Sequence, residues 1–309
     1  MVNYETTRKK RITKRMVTQR IFYYSLVGIP LIQFCIFYIY VNFDSFAMAF
    51  ETLDIETGVY SFYGIKNFEQ LFIDFRTQDV YLYSLLNSLK LYVFGIIFGV
   101  PVGIVFSYYI FKKCWGGTFF KVLLYVPSIV PSVVTVAIFK YFMDTAVPEI
   151  IEELVGTRCM GLLSNPDTRY VTILAYNIIL GWGGHVLIYS STMSGISDSM
   201  IESAQLDGIT TAKEILYIVL PSIWPTFTTF IVVGISSIFT NQMSLYTFYG
   251  PSTPPDLYTF GYYLYTYTVN AGPIKYPYLS ALGMLMTMVA VPLTLLGRHL
   301  LNKYGPSAD

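Results

Sequence analysis

The stretch that decides the fold runs from Ser199 to Pro225 and reads SMIESAQLDGITTAKEILYIVLPSIWP. It lies between two strongly apolar segments, and twice it places a glutamate three positions after a hydroxyl residue. That spacing is typical of a helix start, because the hydroxyl and the carboxylate accept hydrogen bonds from backbone N–H groups that lack helical partners. The pattern predicts one short helix starting at Ser199 with Glu202, and a second starting at Thr211 with Glu214.

Asp207 and Gly208 separate the two predicted helices. Glycine adopts the left-handed backbone conformation that commonly ends a helix, and it does so without steric cost. Apolar residues then continue from Ile215 to Leu220, directly before Pro221. We therefore expect a helical hairpin that lies beside a membrane.

The hairpin resembles the EAA loop of permease subunits of binding-protein-dependent ABC importers. That loop has the order E-A-A, two residues, D-G, nine to twelve residues, L-P, and its counterparts here are Glu202, Ser203, Ala204, Asp207, Gly208, Leu220 and Pro221. Ser203 stands where alanine is commonest, and Ile209 stands where a small residue is usual. The resemblance implies a coupling helix that docks into a groove of a cytoplasmic ATPase subunit. The residues alone also allow an ordinary amphipathic surface hairpin.

The composition is that of a membrane protein. Hydrophobic residues make up 54% of the chain and charged residues only 13%. The formal net charge of +1 argues against a nucleic-acid partner, which would require a concentrated basic face. Cys35 lies in an apolar run, whereas Cys114 and Cys159 fall in loops that we expect on opposite sides of the membrane. This arrangement indicates neither a disulfide framework nor a metal site.

Loop charge predicts the topology. Basic residues crowd positions 1–20, which we expect to form a cytoplasmic tail, while acidic residues dominate the loops 42–82 and 143–169, which we expect outside. The apolar runs are each long enough to cross a bilayer, and they predict six spans at about 21–41, 83–111, 118–142, 170–192, 222–240 and 278–297. We expect a further external loop, rich in Tyr, Pro and Gly, at about 241–277. A cleaved signal peptide is the competing interpretation of the first run, but no small-residue cleavage site is obvious.

The predicted fold is therefore an all-α integral membrane protein with six transmembrane helices and both termini in the cytoplasm. Residues 21–300 form the transmembrane domain, the coupling loop 193–221 joins the fourth and fifth helices, and residues 301–309 form a short cytoplasmic tail. Lys90 falls inside the second span, where we expect its ammonium group to reach the interface along its own stem.

Polar residues at helical spacing inside the spans predict a path for a solute, because polar groups that face lipid are costly. Three spans carry such pairs, namely Ser128 and Ser132, Asn177 and Gly181, and Ser237 and Asn241. Each serine could equally bond to the carbonyl one turn back. The amides of the two asparagines have both donors and acceptors to satisfy.

The resemblance covers about residues 20–305 and is strongest to the first permease of maltose-type carbohydrate importers. The start of the last span, Tyr278-Leu-Ser-Ala-Leu-Gly, and the short tail carry this finer likeness. It implies that Ser132, Asn177, Gly181, Ser237 and Asn241 contact a sugar. It also implies a bacterial plasma-membrane location, a second homologous permease as heterodimer partner, ATPase subunits that bind ATP and Mg²⁺, and an extracellular sugar-binding protein.

Nothing in the sequence indicates catalysis by this chain. It has no G-x-x-x-x-G-K-[ST] motif to hold ATP phosphates, and its two histidines, His185 and His299, are far apart. We expect no bound cofactor or metal. His185 could line a cavity, but we expect a hydrogen-bonded packing role for it, and Trp182 and Tyr189 could either stack against a sugar ring or only pack. The alternatives left open are a permease for another solute, such as a phosphodiester or a peptide, a membrane-embedded enzyme, and an ATP-independent channel.

Overall fold

The computed structural model describes residues 14–157, 159–270 and 272–306. The described chain is helical almost throughout. Its helices are α1 (Lys14–Phe34), α2 (Val41–Met48), α3 (Lys66–Thr77), α4 (Asp79–Phe94), α5 (Val100–Phe111), α6 (Gly117–Ile129), α7 (Ser132–Tyr141), α8 (Val147–Val155), α9 (Arg169–Met193), α10 (Asp198–Leu206), α11 (Thr211–Glu214), α12 (Leu220–Ser222), α13 (Trp224–Ser237), α14 (Leu245–Tyr249), α15 (Phe260–Asn270) and α16 (Tyr276–Tyr304). Strands β1 (Glu51–Leu53) and β2 (Tyr60–Phe62) pair in an antiparallel hairpin.

Short π-helical segments join neighbouring helices into longer ones. Cys35–Tyr40 joins α1 to α2, and Gly95–Gly99 joins α4 to α5. Phe142–Ala146 joins α7 to α8, and Ile215–Val219 joins α11 to α12. Each junction thus continues the preceding helix instead of starting a new direction.

Four of the described helices are long and apolar enough to cross a membrane: Ile21–Met48, Asp79–Phe111, Arg169–Met193 and Pro273–Tyr304. Two bent helix pairs bring the possible number of spans to six if each pair crosses once. The predicted number of spans is compatible with this arrangement, and the third and fifth predicted spans correspond to the two bent pairs. Of the basic tail, residues 1–13 lie outside the described chain.

The third predicted span, 118–142, is wrong as a single helix. The pair Gly117–Ile129 and Ser132–Val155 is bent by 103°. Val130, at the break, has the extended angles φ −73° and ψ 134°. Pro131 explains them, because a proline ring excludes the helical conformation for the residue before it and offers no N–H of its own.

The fifth predicted span, 222–240, also requires correction. Its helix begins upstream, and the pair Thr211–Ser222 and Trp224–Ser237 is bent by 78°. The break lies at Ile223, whose φ of −96° and ψ of 7° depart from the regular helix just before Pro225. The predicted fifth span therefore consists of the bend at Ile223 and the 14-residue helix α13 that follows it.

The outer segment after α13, predicted as a loop at 241–277, is folded and packed. Asn87 of α4 donates two hydrogen bonds from Nδ2, to the carbonyl oxygens of Asp256 at 2.7 Å and Tyr258 at 3.0 Å. Arg169 at the start of α9 makes a two-point ion pair with the carboxylate of Asp256. Burial raises the pKa of Tyr249 to about 12, so its hydroxyl stays protonated and donates to a carbonyl of the loop before α9. These contacts fix the segment against α4 and α9.

Candidate functional site

A cavity of about 290 Å³ lies between the α4–α5 helix, α9 and α13. Four of the five residues predicted to contact a solute line it, namely Asn177, Gly181, Ser237 and Asn241. Ser132 does not line this cavity, because the bend at Pro131 starts α7 in a new direction. A larger groove of about 640 Å³ lies between α2, α13 and α16, away from the predicted residues.

Both asparagines hydrogen-bond to the backbone of Met243, in the turn that follows α13. Asn177 Nδ2 donates to the carbonyl oxygens of Ile173 at 2.9 Å and Met243 at 3.0 Å. The backbone N–H of Met243 in turn donates to Asn241 Oδ1 at 2.8 Å. Within the described chain, Asn177 Oδ1 and Asn241 Nδ2 have no hydrogen-bond partner. One acceptor oxygen and one donor nitrogen are therefore unpaired within the described chain.

The turn that the asparagines hold is strained. Met243 and Ser244 have φ values of 51° and 57°, which side chains with a Cβ adopt at a cost of about 1–2 kcal/mol per residue. From the other side, Thr259 donates its hydroxyl to the carbonyl oxygen of Asn241 at 2.8 Å. Strain of this kind persists only where surrounding contacts impose it, and it is frequent beside binding sites.

Ser237 and Gly181 contribute to the cavity in different ways. The Ser237 hydroxyl donates to the carbonyl oxygen of Gly234 at 3.0 Å, the local bond that the sequence left open as an alternative. A Cβ built on Gly181 would meet no atom within 4 Å, so this glycine leaves open space. The wall of the cavity at Gly181 is therefore open.

The part of the cavity beyond Gly181 is lined by residues whose role the sequence left open. His185, expected to be a hydrogen-bonded packing residue, lines the cavity and packs edge-on against Phe230. Tyr92 and Tyr189 also line it. The signal was present, because His185 and Tyr189 continue the four-residue spacing of Asn177 and Gly181 along α9.

The hairpin after α9 is helical, but the predicted capping pairs are wrong. The first helix begins at Asp198, so Ser199 and Glu202 lie inside it. In the second, Glu214 turns away from the helix start and binds a lysine of another segment. The predicted helix end is confirmed, since Gly208 has the left-handed φ of 73°.

Most of the EAA-like residues are accessible. Glu202, Ser203, Asp207 and Gly208 are exposed, and Ala204, Leu220 and Pro221 are half-buried. Between them Leu206 presents 89% of its surface to solvent. The EAA-like residues therefore lie largely at the surface of the described chain.

An ion pair ties the hairpin to the turn after α5. Lys112 Nζ lies 2.7 Å from Glu214 Oε1, and the side chains are 22% and 4% exposed. The glutamate is thus a nearly buried carboxylate that depends on this lysine for its counter-charge.

Other polar features do not form a second site. Lys90 Nζ lies 5.2 Å from the centre of the Tyr170 ring, a cation–π contact near the outer end of α9. In the described part of the chain no group of three or more His, Cys, Asp or Glu residues is placed to hold a metal ion. Cys35, Cys114 and Cys159 are all unbridged.

Residues 95–304 match a family model described as the inner membrane component of binding-protein-dependent transport systems. The match includes the cavity-lining residues of α9 and α13 and the whole hairpin.

Individual relatives are distant but span most of the chain. The multiple sugar-binding transport system permease protein MsmF of Streptococcus mutans serotype c is 20% identical, with 95% of this chain and 99% of MsmF covered. The polygalacturonan/rhamnogalacturonan transport system permease protein YteP of Bacillus subtilis is 23% identical, with 98% and 94% covered. A crystal structure of a bacterial ABC transporter involved in alginate import is 21% identical, with a TM-score of 0.77 and 94% and 98% of the two chains covered. At that identity the likeness establishes the fold.

Proposed function

The chain belongs to the family of inner membrane components of binding-protein-dependent transport systems, and we propose that it is a permease subunit of an ATP-driven sugar importer. The observation that carries the proposal is the single cavity shared by Asn177, Gly181, Ser237 and Asn241. Hydroxyl-rich ligands suit such a cavity, since amides both donate and accept hydrogen bonds. MsmF and YteP, by their names, serve sugar transport.

The connectivity gives a mechanism. The coupling hairpin lies between α9 and α13, and these two helices carry the cavity residues Asn177 and Ser237. A partner ATPase that moved the hairpin while closing on ATP and Mg²⁺ would therefore move both walls of the cavity. The cavity would open alternately to an extracellular sugar-binding protein and to the cytoplasm, with a second permease completing it.

An uncharged solute fits the cavity better than the alternatives. None of the described residues that line it is Asp, Glu, Lys or Arg. A phosphodiester or a charged peptide would leave its charge without a partner in a low-dielectric site, which is costly. A membrane-embedded enzyme would need paired catalytic groups at one depth, and the lining offers only His185 beside tyrosines, asparagines and serines.

The asparagines provide a first test. Asn177→Ala and Asn241→Ala should each lower the apparent affinity for sugar by up to about tenfold, since one hydrogen bond is worth roughly 0.5–1.5 kcal/mol net. Labelled-sugar uptake, measured beside the abundance of the permease and its association with the ATPase, reports the effect. Asn270→Ala is the control, because among the described residues that amide bonds only to its own helix, at the carbonyl oxygen of Thr266. Unchanged affinity and rate in both cavity variants would make the two asparagines packing residues.

A second test addresses coupling. Replacing Gly208 by valine puts a β-branched side chain at a φ of 73° and should distort the exposed hairpin end without touching the spans. We expect normal membrane insertion, ATP hydrolysis that no longer responds to the binding protein, and loss of transport. Gly58→Val is the control, because Gly58 has φ 67° in the β-hairpin, away from the coupling hairpin. Full transport by the Gly208 variant would contradict the coupling role.

The topology makes a third prediction. In a background without the three native cysteines, single cysteines at Asp54 and Glu152 should react with a membrane-impermeant thiol reagent added to intact cells. Cysteines at Lys10 and Gln205 should react only after the cells are opened. Asp54, Glu152 and Gln205 are all exposed, so a difference in labelling reports the side of the membrane. Labelling of position 10 or 205 in sealed cells would overturn the six-span topology.

A further inference from the structure

The residues of α9 that line the cavity continue beyond Gly181 toward the cytoplasmic end that we propose for this helix. Asn177, Gly181, His185 and Tyr189 follow one another at intervals of four residues, and all four line the cavity. With a rise of about 1.5 Å per residue, His185 lies roughly 12 Å and Tyr189 roughly 18 Å along the helix from Asn177. We propose that His185 and Tyr189 form an inner subsite, which hydrogen-bonds a ring of an uncharged oligosaccharide; this inference rests on the proposed sugar transport.

The hydroxyl of Tyr189 makes no hydrogen bond to the described residues. The side chain of this tyrosine is 1% exposed. An unpaired buried hydroxyl costs about 1–3 kcal/mol, and phenylalanine would fill the same volume without that cost. The hydroxyl is therefore best explained by a ligand that satisfies it in another state of the transport cycle.

His185 offers the neighbouring half of the subsite. Its ring packs edge-on against Phe230 with centroids 4.5 Å apart, and no described residue hydrogen-bonds its nitrogens. Phe230 also packs edge-on against Tyr189 at 5.1 Å. One aromatic ring therefore lies against both residues. A sugar that moves inward from Asn177 would displace Phe230 and meet an imidazole and a phenol hydroxyl together.

The lining sets the chemical class of the ligand. A neutral imidazole and a phenol exchange hydrogen bonds with sugar hydroxyls, and aromatic rings cover the apolar faces of sugars. A uronate carboxylate would find no Lys or Arg among the described lining residues, so its burial would lack a counter-charge. The subsite therefore favours neutral oligosaccharides over acidic ones.

Tyr189→Phe tests the subsite by removing one oxygen atom. Tyr170→Phe is the matched control, because Tyr170 is on the same helix and also has a buried hydroxyl without a partner among the described residues, but it does not line the cavity. Uptake of labelled maltotriose is measured in cells in which each variant replaces the native chain within its full transporter. We expect Tyr189→Phe to reduce uptake roughly two- to tenfold at equal or higher abundance, and Tyr170→Phe to leave uptake unchanged. Equal uptake by the two variants would overturn the subsite.

His185→Phe complements that test, since it keeps an aromatic ring against Phe230 and removes both nitrogens. It should also reduce maltotriose uptake while abundance is unchanged. Competition with unlabelled trigalacturonate, in large excess, should leave wild-type uptake unaffected, and strong competition would overturn the preference for neutral sugars. A wild-type transporter that imports neither trisaccharide nor a wider panel of oligosaccharides would contradict the proposed function itself, whereas normal wild-type import with unaffected variants contradicts only the subsite.

Discussion

Lys112→Met should markedly reduce the thermal stability of the protein. The substitution leaves the Glu214 carboxylate, which is only 4% exposed, without the ammonium group that lies 2.7 Å away. Removing one partner of a buried ion pair costs about 3 kcal/mol or more, because the remaining charge stays desolvated and uncompensated. The coupling hairpin should detach from the turn after α5, and ATP hydrolysis should lose its connection to transport. Thermal unfolding of the purified transporter and binding-protein-stimulated ATP hydrolysis measure the two effects.

The next residue provides the control for this prediction. Lys113 is exposed, has no ion pair among the described residues, and precedes the same turn, so Lys113→Met removes one positive charge without breaking a contact. The double variant Lys112→Met with Glu214→Met should recover much of the stability, because it removes the buried charge as well. A Lys112→Met variant that unfolds at the same temperature as Lys113→Met would show that the ion pair contributes nothing.

The local features of the chain were predictable from local sequence. The fourth span was expected at 170–192 and forms Arg169–Met193, because an apolar run with polar ends determines a helix in lipid almost by length alone. The left-handed end at Gly208 followed from its residue type. Four of the five residues predicted to contact a solute line one cavity, and the four-residue spacing along α9 leads from Asn177 and Gly181 to His185 and Tyr189.

The errors arose where distant residues decide the local structure. Glu214 has the spacing of a capping residue, yet a lysine 102 positions earlier in the chain takes its carboxylate, and ion pairing outweighs a weak local bond. Ser132 was placed by spacing within a span, but the bend at Pro131 changes the helix direction before that residue. The outer segment was expected to be a loop because it is rich in Tyr, Pro and Gly. It is held instead by Asn87 and Arg169, and no local pattern indicates those contacts.

Gly183→Ala should destabilise the transmembrane helices, although it adds a single methyl group. A Cβ at this position would overlap the carbonyl oxygen of Leu124 and lie 3.1 Å from its carbonyl carbon, because α6 and α9 pass closely here. The obstacle is helix backbone, which cannot rotate away as a side chain can, so the helices must separate at a cost of about 3 kcal/mol or more.

Gly184, the adjacent residue, is the matched control. A Cβ there would meet no atom within 4 Å, so Gly184→Ala should be neutral or should stabilise the helix by roughly 0.5–1 kcal/mol. We expect Gly183→Ala to lower the unfolding temperature and the membrane abundance, and to reduce transport beyond the loss of abundance, because α9 also carries Asn177 and Gly181. Both variants add one methyl group to adjacent positions of α9, and only the methyl group at position 183 would overlap α6. If the two variants unfold at the same temperature and transport equally well, α6 and α9 do not pass this closely in the folded protein.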